Sequence, residues 1–226
     1  MRQMHIKERV SRPYVAFPDR EVGGRRLTRF VDPAPDPEAV VLAVPRGGVP
    51  VAKPLAAALG CPLQPVLTRK LPIPGSPEAG FGAVSLETGL ELNDRMVNSM
   101  GIGEHRIQQI VNEVRGELER RAREYDIGKE HRSPEDRHVY LVDDGLATGY
   151  TIIAAAQEVL SKDPARLTLA VPVSPSDSLE RVQGWFDEIF CLICQTALPF
   201  GVANFYSRFE EMSDQQVRNY LSEARD

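Results

Sequence analysis

The sequence predicts an α/β fold, a parallel sheet covered by helices on both faces, and three observations carry the prediction. The chain of 226 residues is 42% hydrophobic, 26% charged and 7% aromatic, the balance of a globular protein with room for a sizeable core. Short runs of Val, Leu and Ile recur without polar alternation, as in strands buried on both faces. Each run is followed by glycine or proline and then by a helical pattern, and such alternation is the mark of a parallel sheet.

In order along the chain, the first strand is Val40 to Val44 (VVLAV), followed by a helix through Ala52 to Leu59. A second, shorter run is Pro65 to Thr68. Leu71 to Gly82 then reads as a long Pro/Gly-punctuated loop, and Glu87 to Gly89 as the turn of a hairpin. From Glu104 to Tyr125 the apolar residues Ile107, Ile110, Val111, Val114, Leu118 and Tyr125 recur at helical spacing, so a long amphipathic helix is expected there. His131 to His138 is a polar return to the core, which resumes with strands Val139 to Val142, Leu167 to Val173 and Glu188 to Cys194. Ser213 and Gln216 stand at capping-box spacing for a closing helix from Asp214 to Ala224. The expected organisation is one domain over 1–226, with its core in 38–70 and 136–195, an insert at 71–135 and a C-terminal segment at 196–226.

Charge and composition exclude several classes. Twenty-seven Lys and Arg against 32 Asp and Glu give a net charge of -5, the wrong sign for a protein that grips duplex nucleic acid by phosphate neutralisation. No uncharged apolar run approaches the length that spans a membrane, and the N-terminus lacks the apolar stretch of a secretory signal. Cys61, Cys191 and Cys194 are too few for a disulfide framework, so a reducing cytoplasmic setting is expected, with Cys191 and Cys194, inside an apolar run, as buried thiols. His5, His105, His131 and His138 show no metal-binding spacing and are expected at the surface.

The sharpest feature is Val139 to Thr151, VYLVDDGLATGYT, with a helical stretch after it. A buried strand ends in adjacent carboxylates, Asp143 and Asp144, and a short loop of Gly145, Leu146, Ala147, Thr148 and Gly149 leads to the helix. At the carboxyl edge of a parallel sheet, such a loop aims backbone N–H groups and a helix dipole at one spot, where a phosphate binds. Gly145 and Gly149 let the backbone approach an anion, and Thr148 and Thr151 add hydroxyl donors. The carboxylates would repel a phosphate, but they suit ribose hydroxyls or a hydrated Mg²⁺. An Asp-Asp-Gly triplet alone is an ordinary turn. The whole order of strand, acids, glycines, threonines and helix reads as a site for a phosphorylated sugar.

A second constellation is VPRGGV, Val44 to Val49, between a strand and a helix. Arg46 beside Gly47 and Gly48 offers a cation and approachable amides to another anion. Arg69 and Lys70, after the second apolar run, could add positive charge, or simply form a solvated strand end.

VYLVDDGLATGYT resembles the signature of the type I phosphoribosyltransferases: four apolar residues, two acids and a Gly/Thr-rich loop. Tyr150 stands where a small residue is usual. The motifs PRGGVPVA and VDDGLATG further resemble those of a subgroup whose substrate is poorly defined, over the span from Pro45 to the final helix. The resemblance implies a Rossmann-like parallel-sheet core flanked by helices, with an inserted hood. It also implies a Mg²⁺-dependent transfer from 5-phosphoribosyl 1-pyrophosphate (PRPP) to a nitrogen acceptor such as a nucleobase. The implied catalytic pair is Asp143 and Asp144, which contact the ribose hydroxyls and hold the metal directly or through water. Gly145, Leu146, Ala147, Thr148, Gly149 and Thr151 would cradle the 5-phosphate, and Arg46, Gly47, Gly48, Arg69 and Lys70 the pyrophosphate. A cis peptide bond is implied between Arg46 and Gly47.

The acceptor would lie under either the insert or the tail stretch Leu198 to Phe209, where Phe200, Phe205 and Tyr206 are candidates to stack on a flat ring. A non-catalytic regulator that senses PRPP or a nucleotide is the alternative, since one fold serves several functions. A hydrolase acting on a 5-phosphoribosyl group is a third reading, for which no general base stands out. The default assembly is a homodimer, the commonest oligomer.

Overall fold

The computed structural model describes residues 2–73, 76–125 and 131–224, and its first element is a strand that the sequence does not advertise. Gln3–Val10 (β1) is polar at most positions, yet it lies along the edge of the sheet and pairs in parallel with the last strand. Asp19 then starts the helix Arg20–Val31 (α1), its carboxylate accepting from the Val22 amide at 2.9 Å. That cap fixes the first turn, on which Arg20 sits.

Val40–Ala43 (β2) is buried throughout and leads through Gly48–Leu59 (α2) to Leu63–Pro65 (β3). The chain then leaves the main sheet. Thr68–Ile73 (β4), Ser76–Ser85 (β5) and Leu90–Leu92 (β6) form a separate antiparallel sheet, followed by the helices Asp94–Met100 (α3) and Glu104–Glu124 (α4). The return comprises His138–Val142 (β7), Tyr150–Leu160 (α5), Arg166–Pro175 (β8), Ser176–Val182 (α6) and Glu188–Gln195 (β9). Asp214–Glu223 (α7) follows, started by the Ser213/Gln216 capping box that the spacing predicts.

The main sheet runs β1-β9-β8-β7-β2-β3, with every pair parallel. From β2 the chain goes outward to β3; from β7 it goes outward the other way, through β8 and β9. The strand order therefore reverses between β2 and β7, and in open α/β sheets ligands bind at the carboxyl ends of the strands at such a point. Two apolar layers, one led by Val41, Leu55 and Val114 and the other by Leu141, Ile153 and Leu169, cover the sheet's faces.

The expected α/β architecture and parallel sheet are present, with three local differences. The second strand ends at Pro65, and Thr68 already belongs to the smaller sheet. The loop expected over 71–82 is largely strand: β4 pairs with β5, although residues 74 and 75 lie outside the described residues. Prolines and glycines disguise these strands, and shifts of register at Leu71/Pro72 and Pro72/Ile73 accommodate them. His138 is partly buried on β7, bonded to the Thr168 hydroxyl at 2.9 Å, and burial pushes its pKa down. Cys191 and Cys194 are free and buried, as expected, and Cys61 is free and buried as well.

Two close approaches set the geometry of the site. A Cβ on Gly24 would lie 2.4 Å from the Val51 carbonyl, so a glycine lets α1 press onto α2 and carry Arg20 toward the sheet edge. A Cβ on Gly89 would lie 1.9 Å from the Ala154 carbonyl, so the small sheet docks on α5 at backbone distance. There Gln157 and Glu158 accept from the amides of Leu90 and Glu87 at 2.8 and 3.0 Å. The tail is tied to the start of the chain, with Phe17 N–H donating to the Phe205 carbonyl and Ser207 N–H to the Phe17 carbonyl. Among the described residues, no helix is long and apolar enough to cross a membrane.

Candidate active site

Because β2 and β7 are neighbours, the turns that leave their carboxyl ends lie side by side. The Val44 amide donates to the Val142 carbonyl at 2.9 Å, and beyond that bond the chains separate into the Arg46–Gly48 turn and the Asp143–Gly149 loop. Their contact admits no side chain. A Cβ on Gly47 would stand 2.0 Å from Asp144 Oδ2, and one on Gly48 would stand 2.8 Å from the Val142 carbonyl. The cis peptide bond lies between Pro45 and Arg46, one residue earlier than the resemblance implies.

The two carboxylates form the floor of the cleft. The Asp144 amide donates to Asp143 Oδ1 at 2.8 Å, which locks the pair in place. Arg20 Nε donates to Asp144 Oδ2 at 2.7 Å, in an ion pair whose side chains are only 13% and 15% exposed. Tyr206 donates its hydroxyl to the Asp144 carbonyl at 2.7 Å, and burial drives its own pKa far above the ordinary phenol value. Burial, and then the neighbouring Asp144 charge, raise the pKa of Asp143 well above the usual carboxylate range. Burial also raises that of Asp144, against the opposing pull of the Arg20 guanidinium. Two acids held this close and this deep call for cations or hydroxyl donors to share their charge.

Above the acids, Gly145 to Gly149 wraps a cavity of about 270 Å³. The Ala147 and Thr148 carbonyls are turned outward to Ser178 and Arg181 on α6, at 2.7 and 2.5 Å. The Leu146 amide donates to the Val173 carbonyl at 2.9 Å, so the amides left for the cavity belong to the later part of the loop. Gly149 adopts φ +85, a left-handed conformation that suits glycine, and α5 then begins with no side-chain cap on its first amides. Free amides at the head of an 11-residue helix, beneath a glycine loop, form an anion cradle.

Residues 18–205 match the phosphoribosyl transferase domain family. The chain belongs to that family. A Mycobacterium tuberculosis protein, provisionally named a phosphoribosyl transferase and recorded in two strains, is 36% identical over 208 residues, which is 92% of this chain. That alignment takes in 47% of the mycobacterial protein, so the chain spans about half the length of the curated relatives it matches. The crystal structure of TT1426 from Thermus thermophilus superposes with a TM-score of 0.75 at 33% identity, covering 92% of this chain and 98% of that one.

Within this phosphoribosyl transferase domain, the expected site residues separate into three groups. Asp143, Asp144, Gly145, Leu146, Ala147, Thr148, Gly149, Thr151 and Lys70 all line the one cavity. Gly47 and Gly48 pack against the acids from behind and do not line the cavity, and Arg46, also outside its lining, forms an ion pair with Glu211. Arg69 does not join them: successive residues of a strand face opposite ways, and Arg69 pairs with Glu117 of α4 at 2.9 Å. Tyr150 is turned outward, its ring 5.2 Å from the Arg181 guanidinium.

The aromatic expectation changes most. Phe205 is fully buried against Phe200, and Tyr206 is buried between Phe17 and Phe209, so neither offers a free ring face to an acceptor. Both serve to fasten the tail under α1. Phe209 lines the cavity instead, its ring 3.8 Å from the Arg20 guanidinium. Arg20, Phe209 and Val202 are the site residues that sequence reasoning misses. Phe209 ends the aromatic tail stretch and its position was within reach; nothing in the sequence around Arg20 marks it, because only the Gly24–Val51 contact brings it there.

The donor set fits a magnesium ion of the kind that keeps most of its waters. Among the described residues there is no cluster of three or more His, Cys, Asp or Glu that would cage a metal outright. Two adjacent carboxylates at the cavity floor are what Mg²⁺ uses when a phosphorylated substrate supplies the remaining oxygens.

Proposed function

We propose that the domain transfers a 5-phosphoribosyl group from PRPP to a nitrogen acceptor, with release of pyrophosphate. The observation that carries this reading is the meeting of the two turns: Gly47 packs on the Asp144 carboxylate, so the Arg46–Gly48 turn stands directly behind the acidic pair whose other side, with the glycine loop, lines the cavity. A ligand with anions at both ends and vicinal hydroxyls between them matches that order.

The Gly145–Thr151 loop receives the 5-phosphate through its amides and the head of α5. Asp143 and Asp144 accept hydrogen bonds from the ribose hydroxyls, which relieves the mutual repulsion of two recessed carboxylates. Arg46, the Gly47 and Gly48 amides and Lys70 bind the pyrophosphate. The acceptor nitrogen attacks C1 as the C1–oxygen bond breaks; the bonding pair leaves with pyrophosphate, and the acceptor proton passes to solvent. Positive charge develops on the ribose, as in glycoside cleavage, and the carboxylates beside it stabilise that charge. Asp143 and Asp144 would hold Mg²⁺ directly or through water, and the ion when bound would neutralise charge on the leaving pyrophosphate.

The test is pyrophosphate release from PRPP with a panel of nucleobases, in wild type and in Asp143→Asn/Asp144→Asn. The reading predicts release with at least one base, lost by about a hundredfold or more in a variant that still folds. Release that survives the double substitution would refute it. A sensing role is the second reading, favoured by one feature: Arg20 and Arg46 are already held by protein oxygens. Tight PRPP binding without release for any base would select it.

A further inference from the structure

Residues 207–213 run past the cleft, with Phe209 in its lining, as a strap fastened at both ends. At its start, the Ser207 and Arg208 amides donate to the Phe17 and Pro18 carbonyls at 2.8 and 2.9 Å, and the Arg208 guanidinium meets Asp19 at 2.6 Å. At its end, Ser213 caps α7, whose Val217 and Leu221 are buried. The residues between these anchors belong to no helix or strand.

What the strap presents to the cleft is a set of oxygens on two cations. The Glu210 carbonyl accepts from Arg20 Nη1 at 2.8 Å, and the Glu211 carboxylate pairs with Arg46. The Phe209 ring lies on the Arg20 guanidinium and closes it from above. Arg20 is fixed from the other side through Nε on Asp144, and that Nε lies 3.1 Å from where a side chain on Gly47 would begin, so Arg20 stands against the turn that carries Arg46. Two guanidiniums flanking a glycine turn, each satisfied by a single replaceable oxygen, have the composition of a pyrophosphate subsite.

We propose that Arg20 and Arg46 form one oxyanion subsite, filled in the free protein by the Glu210 carbonyl and Glu211 carboxylate, and that a pyrophosphate-bearing ligand displaces the strap. This rests on the phosphoribosyl reading and adds a residue and a gate to it. The contacts have suitable strengths. The Glu211 side chain is 83% exposed, and an exposed ion pair contributes about 0–1 kcal/mol, little enough for a multiply charged ligand to replace. The Arg20–Asp144 pair is recessed and persists, so Arg20 stays aimed at the opening when the strap leaves.

The experiment is a calorimetric titration with inorganic pyrophosphate of wild type, Glu211→Gln and Arg20→Lys, with PRPP titrated into wild type and Asp143→Asn/Asp144→Asn in parallel. Glu211→Gln removes the competing charge and binds pyrophosphate about threefold tighter, a gain that shrinks in about 0.5 M salt. Arg20→Lys keeps the charge beside Asp144 but loses the planar fork, and binds about tenfold more weakly. Pyrophosphate also speeds tryptic cleavage after Arg208, because the released strap becomes accessible. Unchanged pyrophosphate affinity in Glu211→Gln, or strap protection by pyrophosphate, overturns the proposal. If PRPP binding is present and lost in the double variant while these results fail, only the strap falls; if folded wild type binds neither ligand, the phosphoribosyl reading falls with it.

Discussion

The two turns at the head of β2 and β7 do related work by different means. The Gly145–Gly149 loop offers an open cavity, backbone amides and no cation of its own. The Arg46–Gly48 turn offers a cation, but it is covered: Gly47 is packed on Asp144, and Arg46 is paired with the strap. Backbone amides cannot swing away or be neutralised, so an anion cradle built from them can stand open. A guanidinium in a cleft finds a partner whether or not substrate is present. Under the proposed function, the difference assigns rigidity to the 5-phosphate end of the ligand and exchange of partners to its pyrophosphate end.

The largest expected effect comes from breaking the contact between the turns. Gly47→Ala drives a methyl group into Asp144 Oδ2, which Arg20 keeps from retreating, and kcat/KM for pyrophosphate release is expected to fall by about a hundredfold, as for misplacement of a reacting group by about 1 Å. Steady-state kinetics on the purified variant checks it. Gly149→Ala acts on the rigid end: it forces an L side chain to φ +85 with its Cβ 2.8 Å from Val182, and chemical denaturation should show a loss of about 1–2 kcal/mol.

The smallest effect concerns the cap that holds Arg20's helix. Asp19→Ala removes the acceptor for the Val22 amide and should cost about 1 kcal/mol near neutral pH. The Val22 hydrogen bond lowers the Asp19 pKa in the folded protein, so the stabilisation is complete above the ordinary carboxylate range and is lost as pH falls through the lowered value. Urea melts of wild type and variant should therefore converge in acid.

Local chemistry was legible in the sequence where it depends on neighbours along the chain. The β7 run, its acids and its glycines follow one another directly, and the long helix and the Ser213 cap declare themselves by period and spacing. What stayed hidden depends on partners far away. β1 is a strand because β9 offers its edge, not because its own residues alternate cleanly. β4 and β5 are held by pairing and by α5, against a composition that reads as loop. Arg20 reaches Asp144 across 124 residues, carried there by a glycine contact between helices. The tail stretch does reach the cavity, but through Phe209, because fastening the tail buries Phe205 and Tyr206.

In the proposed function the two turns hold opposite ends of one ligand. A calorimetric titration of Arg46→Ala with PRPP and with ribose 5-phosphate tests it most directly. With one ligand spanning both turns, PRPP affinity is expected to fall by about tenfold or more, as for loss of a charged anion contact, while ribose 5-phosphate binds as it does to wild type. Equal weakening of both ligands, or of neither, would contradict it.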